Sequence, residues 1–353
     1  MRTPDCPLLL LGVIGAGFIS QVAHLPAFTR QSRCRVVALA DNRPDVLSAV
    51  ANRFDIADRY EDHLELTSRG DLDAIIVAAP RRAQSAIVRE VLTAHRSVLT
   101  EKPMAYTARV AQELGALARS AGVVLAVGYT RLHDPGVVLF QTTLDQAVAS
   151  GEMGEVLHAR MTDFCGAYTV AMPDHIRGQK RRLRYAEDPV VPSFLDENLA
   201  GAYDYTINVA SHDINLLHLL FGALQPVSFR VRRGGAQHAL LATPSIDVDL
   251  AVGPAAIGSW EQRLDVYFQK GCLSLVLDSS LARQSTGVVV RRRVGGDETL
   301  RPPIHERAFA FDLQAAAFLD TLASGAGPTA DGSDATRDSE LIEELWRIAM
   351  VAP

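Results

Sequence analysis

The sequence predicts an α/β protein of two domains, a doubly wound parallel sheet over residues 1–128 and an α/β domain with a mostly antiparallel sheet over 129–353. Three observations predict it. Short apolar runs rich in Val and Ile alternate with amphipathic stretches through the first third of the chain. A glycine-rich turn directly follows the first run. After Gly128 the alternation stops, and strand patterns then follow one another with tight turns between them. A chain of 353 residues is too long for one ordinary domain and comfortable for two.

Taken in order, strands are predicted at Leu8–Ile14, Arg35–Ala40, Ala74–Ala78, Ser97–Thr100 and Val123–Val127, with helices near 18–30, 44–54, 84–95 and 107–121. Strand–helix alternation of this kind buries both faces of a parallel sheet under helices. A helix near 136–149 and a strand at 155–164 follow. Residues 166–204 are rich in charge, Pro and Gly and read as a long loop, before a helix at Ile207–Phe221. Strands are predicted at 227–233, 245–252, 255–261, 263–269, 272–278 and 287–293, and helices at 309–324 and 335–350.

Composition narrows the function. The balance of 48% hydrophobic and 22% charged residues is that of a globular protein with a substantial core. A net charge of -6 argues against a general nucleic-acid binder, which carries a basic surplus. Cys6, Cys34, Cys165 and Cys272 lie far apart, without the paired spacing of a zinc site or redox couple, so no metal is expected. Scattered thiols and the lack of a long apolar span lead us to expect a cytoplasmic protein with no membrane partner.

Gly15-Ala16-Gly17-Phe18-Ile19-Ser20 leaves the first strand and opens the first helix. Gly15 permits a tight turn, and Gly17, lacking a Cβ, lets a pyrophosphate approach the backbone. Free N–H groups at the helix start then meet the phosphate charge. Asp41 closes the second strand roughly 20 residues further on, where a carboxylate accepts hydrogen bonds from an adenosine ribose. We therefore assign Gly15, Gly17, Phe18, Ile19, Asp41, Asn42 and Arg43 to a dinucleotide site. A carboxylate at 41 repels a 2′-phosphate and favours NAD, while Arg43 softens that preference and leaves NADP possible. The plainer reading of Asp41 is a cap for the next helix.

Glu101-Lys102-Pro103 follows the fifth strand, at the sheet edge where ligands of such folds bind. A lysine there can hydrogen-bond a substrate oxygen and the nicotinamide ribose, and can stabilise a developing alkoxide. Glu101 can orient it; the alternative is a surface ion pair. Asn208, His212 and Asn215 recur at helical spacing, so they share one face of an otherwise apolar helix. His212 is the best-suited general acid–base there, because histidine titrates near neutrality. His218 and His24 read as structural. Tyr203, Asp204 and Tyr205 precede this face as candidate pocket residues, with Asp204 also a candidate helix cap. His133 is either near the pocket mouth or simply packed. Lys180-Arg181-Arg182-Leu183-Arg184 is either a solvated run or a grip for a substrate phosphate.

Together these motifs resemble the glucose–fructose oxidoreductase / inositol dehydrogenase (Gfo/Idh/MocA) family over nearly the whole chain. The resemblance rests on the glycine turn, Asp41, Ala79-Pro80, Glu101-Lys102-Pro103, Val127-Gly128-Tyr129-Thr130-Arg131, Gly151-Glu152-Met153-Gly154-Glu155-Val156, His212-Asp213-Ile214-Asn215-Leu216-Leu217 and Pro328–Ala335. It implies an N-terminal Rossmann domain and a C-terminal domain whose large open sheet mediates a homodimer or homotetramer. It adds Ala79, Pro80, Glu101 and Lys102 to the cofactor site. It also implies a sugar, cyclitol or polyol substrate met by Lys102, Tyr129, Arg131, Tyr205, Asn208 and His212, with Lys102, His212 and Asn208 catalytic. Four positions depart from the family pattern. Asn208 stands where Asp is common and cannot accept a proton. Arg81 and Gln84 replace the Asn and His that follow Pro80, and Asn215 replaces an Asp. The expected reaction is hydride transfer between nicotinamide and a secondary hydroxyl or ketone. A redox-assisted glycosidase and a non-catalytic nucleotide-binding regulator are the competing expectations.

Overall fold

The computed structural model describes residues 8–166, 174–178, 188–255, 258, 260–283, 285–303 and 309–351. Lys180–Arg184 lies outside the described residues. The chain divides into two compact units. The first holds Met1–Tyr129, Pro173–Val190 and Phe311–Arg337; the second holds Thr130–Met172, Val191–Ala310 and Asp338–Pro353. Two late segments thus return to the first unit, which a single division near residue 128 leaves out. Strand–helix periodicity reports which face an element buries, not which distant element covers it.

In the first unit, β1 (Leu9–Ile14), β2 (Cys34–Ala40), β3 (Asp58–Tyr60), β4 (Ala74–Val77), β5 (Ser97–Glu101) and β6 (Leu125–Gly128) form a sheet ordered β3-β2-β1-β4-β5-β6. Every neighbouring pair is parallel. β4 is buried along its whole length, as its run of Ala, Ile and Val requires. Strand order reverses between β1 and β4, opening the crevice in which ligands of such sheets bind. Ile14 pairs with Ala40 and Val77, Val77 with Thr100, and Glu101 with Gly128. These pairings bring Gly15, Asp41, Ala79, Lys102 and Tyr129 to one edge of the sheet.

The predicted helix near 18–30 is a π-helical turn, Ser20–His24, leading into α1 (Leu25–Thr29). Pro26 has no N–H and crowds the carbonyl one turn back, so the wider turn relieves the ladder there. α2 (Pro44–Arg53), α3 (His63–Thr67), α4 (Arg81–Thr93) and α5 (Ala108–Ala121) follow. β3 and α3 were not expected, because three- and five-residue elements are too short to show a period. The returning segment is tied down by Val127 N–H to Ala330 O at 3.0 Å and by a bridge between Ala126 and Asp331. Gly115 and Gly332 pack backbone to backbone.

In the second unit, α6 (Pro135–Ser150) and α7 (Ala200–Phe221) pack on an eight-stranded sheet. Its strands are β7 (Val156–Cys165), β8 (Gln225–Val231), β9 (Gln237–Ala242), β10 (Asp247–Pro254), β11 (Trp260–Phe268), β12 (Gly271–Leu277), β13 (Val288–Arg293) and β14 (Gly296–Leu300), ordered β14-β13-β12-β11-β7-β10-β9-β8. Only β7 and β10 pair in parallel. β11 joins the end of the strand expected at 255–261 to most of the one expected at 263–269, while residues 256, 257 and 259 lie outside the described residues. β9 and β14 were not expected. Buried Gln237 opens β9, and β14 is an exposed edge strand, so neither presents an apolar alternation. α7 begins seven residues before the expected Ile207, so Asp204 lies inside the helix and does not cap it. Tyr203 explains the early start: it is fully buried, edge-on to Trp346 at 5.9 Å. α8 (Ala310–Ser324) and α9 (Gly332–Val351) close the chain. Among the described residues, no helix is long and apolar enough to cross a membrane.

Candidate active site

The glycine turn has the geometry of a phosphate cradle. Gly15 has φ +98°, and a Cβ there would lie 2.3 Å from the Ala78 carbonyl oxygen, so no other residue fits. A Cβ on Gly17 would meet nothing within 4 Å, leaving its backbone open to a ligand. Ser20 Oγ donates back to Gly15 O at 2.5 Å and closes the turn. Asp41 Oδ2 accepts the Ala16 N–H at 2.8 Å, which ties the end of β2 to the loop. Arg43 forks onto the same carboxylate, Nε to Oδ1 at 2.8 Å and Nη2 to Oδ2 at 2.7 Å. That hydrogen-bonded pair raises the Arg43 pKa and compensates the Asp41 charge. These features fit a dinucleotide whose adenosine end meets Asp41 and Arg43.

Lys102 stands on a turn held from two sides. Gln84 Nε2, buried on α4, donates to Glu101 O and to Pro103 O, the latter at 2.8 Å. The Lys102–Pro103 peptide is cis. Glu101 Oε1 meets His24 Nε2 at 2.6 Å, and Oε2 accepts the backbone N–H of Lys102 at 3.2 Å. Glu101 therefore steadies the backbone of Lys102 and engages His24, which stacks edge-on against Phe311 at 5.3 Å. His24 is thus more than a packing residue of the first helix, and the substitution of Gln at 84 has a structural use. Neither could be read from sequence, because the partners lie 77 and 17 residues away.

The remaining candidates belong to the second unit. His212 is buried on α7, and Asn208 lies one turn before it. Asn215, on the same predicted face, donates to Asp338 Oδ2 at 2.7 Å, and His218 meets Asp338 Oδ1 at 2.7 Å. The Asn215 amide N–H and the His218 ring are thus answered inside the fold. The Tyr205 hydroxyl is buried and has no hydrogen-bond partner among the described residues. Burial, then Asp163, Cys165 and Asp213, push its pKa up, so it stays a neutral donor.

Arg131 is buried, with its guanidinium 5.9 Å from the centroid of the Trp260 ring. Burial lowers its pKa, against the pull of Asp134, Asp163, Asp213 and Asp278. Asp163 and Asp213 are fully buried. Trp260 Nε1 donates to Asp163 Oδ1 at 2.5 Å and Gln262 Nε2 to Asp213 Oδ1 at 2.6 Å. Burial first, and Asp163 second, raise the Asp213 pKa well above the carboxylate range. Burial beside Asp163 therefore favours the neutral form of the Asp213 carboxyl. Burial lowers the His133 pKa to about 4, so its ring is neutral at physiological pH. The acid pair went unread in the sequence because Asp163 and Asp213 lie on separate elements.

Residues 9–129 match the sequence model of an oxidoreductase family described as having an NAD-binding Rossmann fold. The chain is similar to dTDP-3,4-didehydro-2,6-dideoxy-alpha-D-glucose 3-reductase of Streptomyces antibioticus, at 28% identity over 98% of each chain. It is also similar to inositol 2-dehydrogenase of Rhizobium meliloti (strain 1021), at 22% identity over 92% of this chain and 91% of that protein. Among solved structures, its fold matches a 3-ketoreductase from Actinomadura kijaniata in complex with NADP and TDP-benzene. The TM-score is 0.77 at 22% identity, over 97% of this chain and 98% of that one. An oxidoreductase from Agrobacterium radiobacter in complex with NAD+, L-tartaric acid and magnesium matches with TM-score 0.74 at 17% identity, over 97% and 96%.

Proposed function

We propose that the chain, whose residues 9–129 match the Gfo/Idh/MocA oxidoreductase family, transfers hydride between a nicotinamide cofactor and a secondary hydroxyl or ketone of a sugar, cyclitol or related polyol. The observation that carries this reading is the Glu101-Lys102-Pro103 turn, braced by Gln84 and His24 at the same sheet edge as the glycine turn. A dinucleotide bound at Gly15 and Gly17 supplies or accepts the hydride. Lys102 donates a hydrogen bond to the substrate oxygen and stabilises the negative charge that grows on it. We assign the proton transfer to His212. Asn208 and Tyr205 hold substrate hydroxyls, which gives the buried Tyr205 hydroxyl a partner. Asn208 cannot take a proton, so it orients without acting as a base.

Among substrates we rank nucleotide-linked 3-keto sugars ahead of free inositols, a ranking supported by the full-length similarity to a 3-reductase of a dTDP-linked deoxysugar. The test is turnover of both classes with NADH and NADPH, followed at the reduced-nicotinamide absorbance. Lys102→Ala is expected to lower kcat/KM ~100-fold or more while leaving cofactor affinity within about twofold. Full activity in that variant removes Lys102 from the mechanism. No turnover on either substrate class by the unaltered protein, with cofactor bound, overturns the proposed substrate.

A further inference from the structure

Asp174–Gly178 follows β7 in the chain, yet it packs on the glycine turn of the first unit. Gln21, one residue past Ser20, makes the join. Its Nε2 donates to Ala16 O at 2.9 Å and to Ile176 O at 3.0 Å, and its Oε1 accepts the Ile176 N–H at 2.8 Å. All three polar capacities serve one purpose, and the side chain is only 2% exposed. Around this clasp, His175 lies edge-on to Phe18 at 4.9 Å, and Arg53 Nη1 donates to Asp174 O at 3.3 Å. Gly178 is pressed on the start of α2, where a Cβ would fall 2.4 Å from Val46 Cγ2 and 2.8 Å from Asp45 Oδ2.

The contacts are not scattered. Phe18 belongs to the phosphate turn, while Asp45 and Val46 start the helix that follows Asp41 and Arg43. The hydrogen bonds form one chain from Ile176 through Gln21 and Ala16 to Asp41 and Arg43. Backbone that covers both the phosphate turn and the adenosine end of such a site restricts the path of a dinucleotide. A simple surface loop would not need a buried glutamine bonded to both polar groups of one of its residues.

We infer that Asp174–Gly178 is an outer wall of the dinucleotide site, that Gln21 is the positioning residue that holds it there, and that release of the cofactor requires this clasp to open. Opening breaks two hydrogen bonds to Ile176 and exposes Gln21, so it slows dissociation more than it slows entry to an already open site. The inference rests on cofactor binding alone, so its test uses no substrate and stands apart from the proposed reaction.

Two variants open the clasp by different routes. Gln21→Met removes the hydrogen bonds at nearly constant length. Gly178→Ala adds a methyl against Val46 and leaves the phosphate turn untouched. In each, we measure hydrogen exchange at the Ile176 amide and the dissociation rate of NADH and NADPH by fluorescence in a stopped-flow displacement. The expected result is loss of Ile176 protection with at least ~10-fold faster release of whichever nucleotide binds. Exposure of Ile176 with an unchanged release rate would overturn the wall. Retained protection in both variants would overturn the clasp.

Discussion

Gln84 has no charge and no reactive atom, yet it holds the carbonyls on both sides of Lys102. Removing its amide leaves two buried acceptors without their donor, at a cost of about 1–3 kcal/mol each. The same loss frees the turn to shift, and small misplacements of a catalytic group cost up to ~100-fold in rate. Gln84→Leu is therefore expected to lower kcat ~10- to 100-fold, with KM changed less than about threefold and cofactor affinity kept. If thermal stability falls while kcat is unchanged, Gln84 is a packing residue and nothing more. Asp41 illustrates a second residue-scale point. Its carboxylate meets Ala16 N–H and Arg43 together, so its charge is partly compensated before any ligand arrives. Repulsion of a 2′-phosphate is weakened accordingly, and a solved structural neighbour carries NADP.

The helix α7 shows how one element sorts similar residues into different roles. Asn215 and His218 turn to Asp338, whereas Asp213 turns to Asp163 on β7 and Gln262 on β11. Three elements thus meet around the buried Asp213 carboxyl, with Arg131, Asp134 and Asp278 supplying the nearby charges and Tyr205 and Cys165 the other titratable groups. The folded protein favours the neutral Asp213 carboxyl, so its pKa lies above the unfolded value near 3.8. Between those two values the native state binds more protons than the unfolded state, and stability falls as pH rises. Asp213→Asn keeps an acceptor for Gln262 and removes the titration. Its stability relative to the unaltered protein is expected to improve as pH rises above the unfolded value near 3.8, followed by urea unfolding over a series of pH values. A difference that stays constant across the series would show that the Asp213 pKa is not raised by folding.

For the whole molecule, cofactor binding and folding are linked through the glycine turn. A ligand that binds only the native state at 100 times its Kd adds about 2.7 kcal/mol of stability. The melting temperature is expected to rise with added reduced cofactor, and the rise should vanish in Gly15→Ala. That variant forces a Cβ to within 2.3 Å of the Ala78 carbonyl at a φ of +98°. An undiminished thermal shift in Gly15→Ala would mean that the nucleotide binds elsewhere.

The sequence by itself determined the strand–helix alternation, the parallel sheet, the antiparallel sheet after it, and which candidate residues stand at strand ends: Gly15, Asp41, Pro80, Glu101 and Gly128. These were legible because apolar period and turn chemistry are local, and local spacing decides where a strand must end. Tertiary structure alone decided what braces those positions. Gln21 reaches Ile176 across 155 residues, His24 reaches Glu101 across 77, and Asp338 answers Asn215 across 123. It also decided that Asp163 lies close enough to Asp213 to raise its pKa and that Phe311–Arg337 returns to the first unit. A polar side chain read alone carries no sign of its partner, because that partner is set by the register of separately formed elements. The candidate residues Gly15, Asp41 and Lys102 therefore stood out at strand ends, while the groups that position them emerged only once the elements had packed.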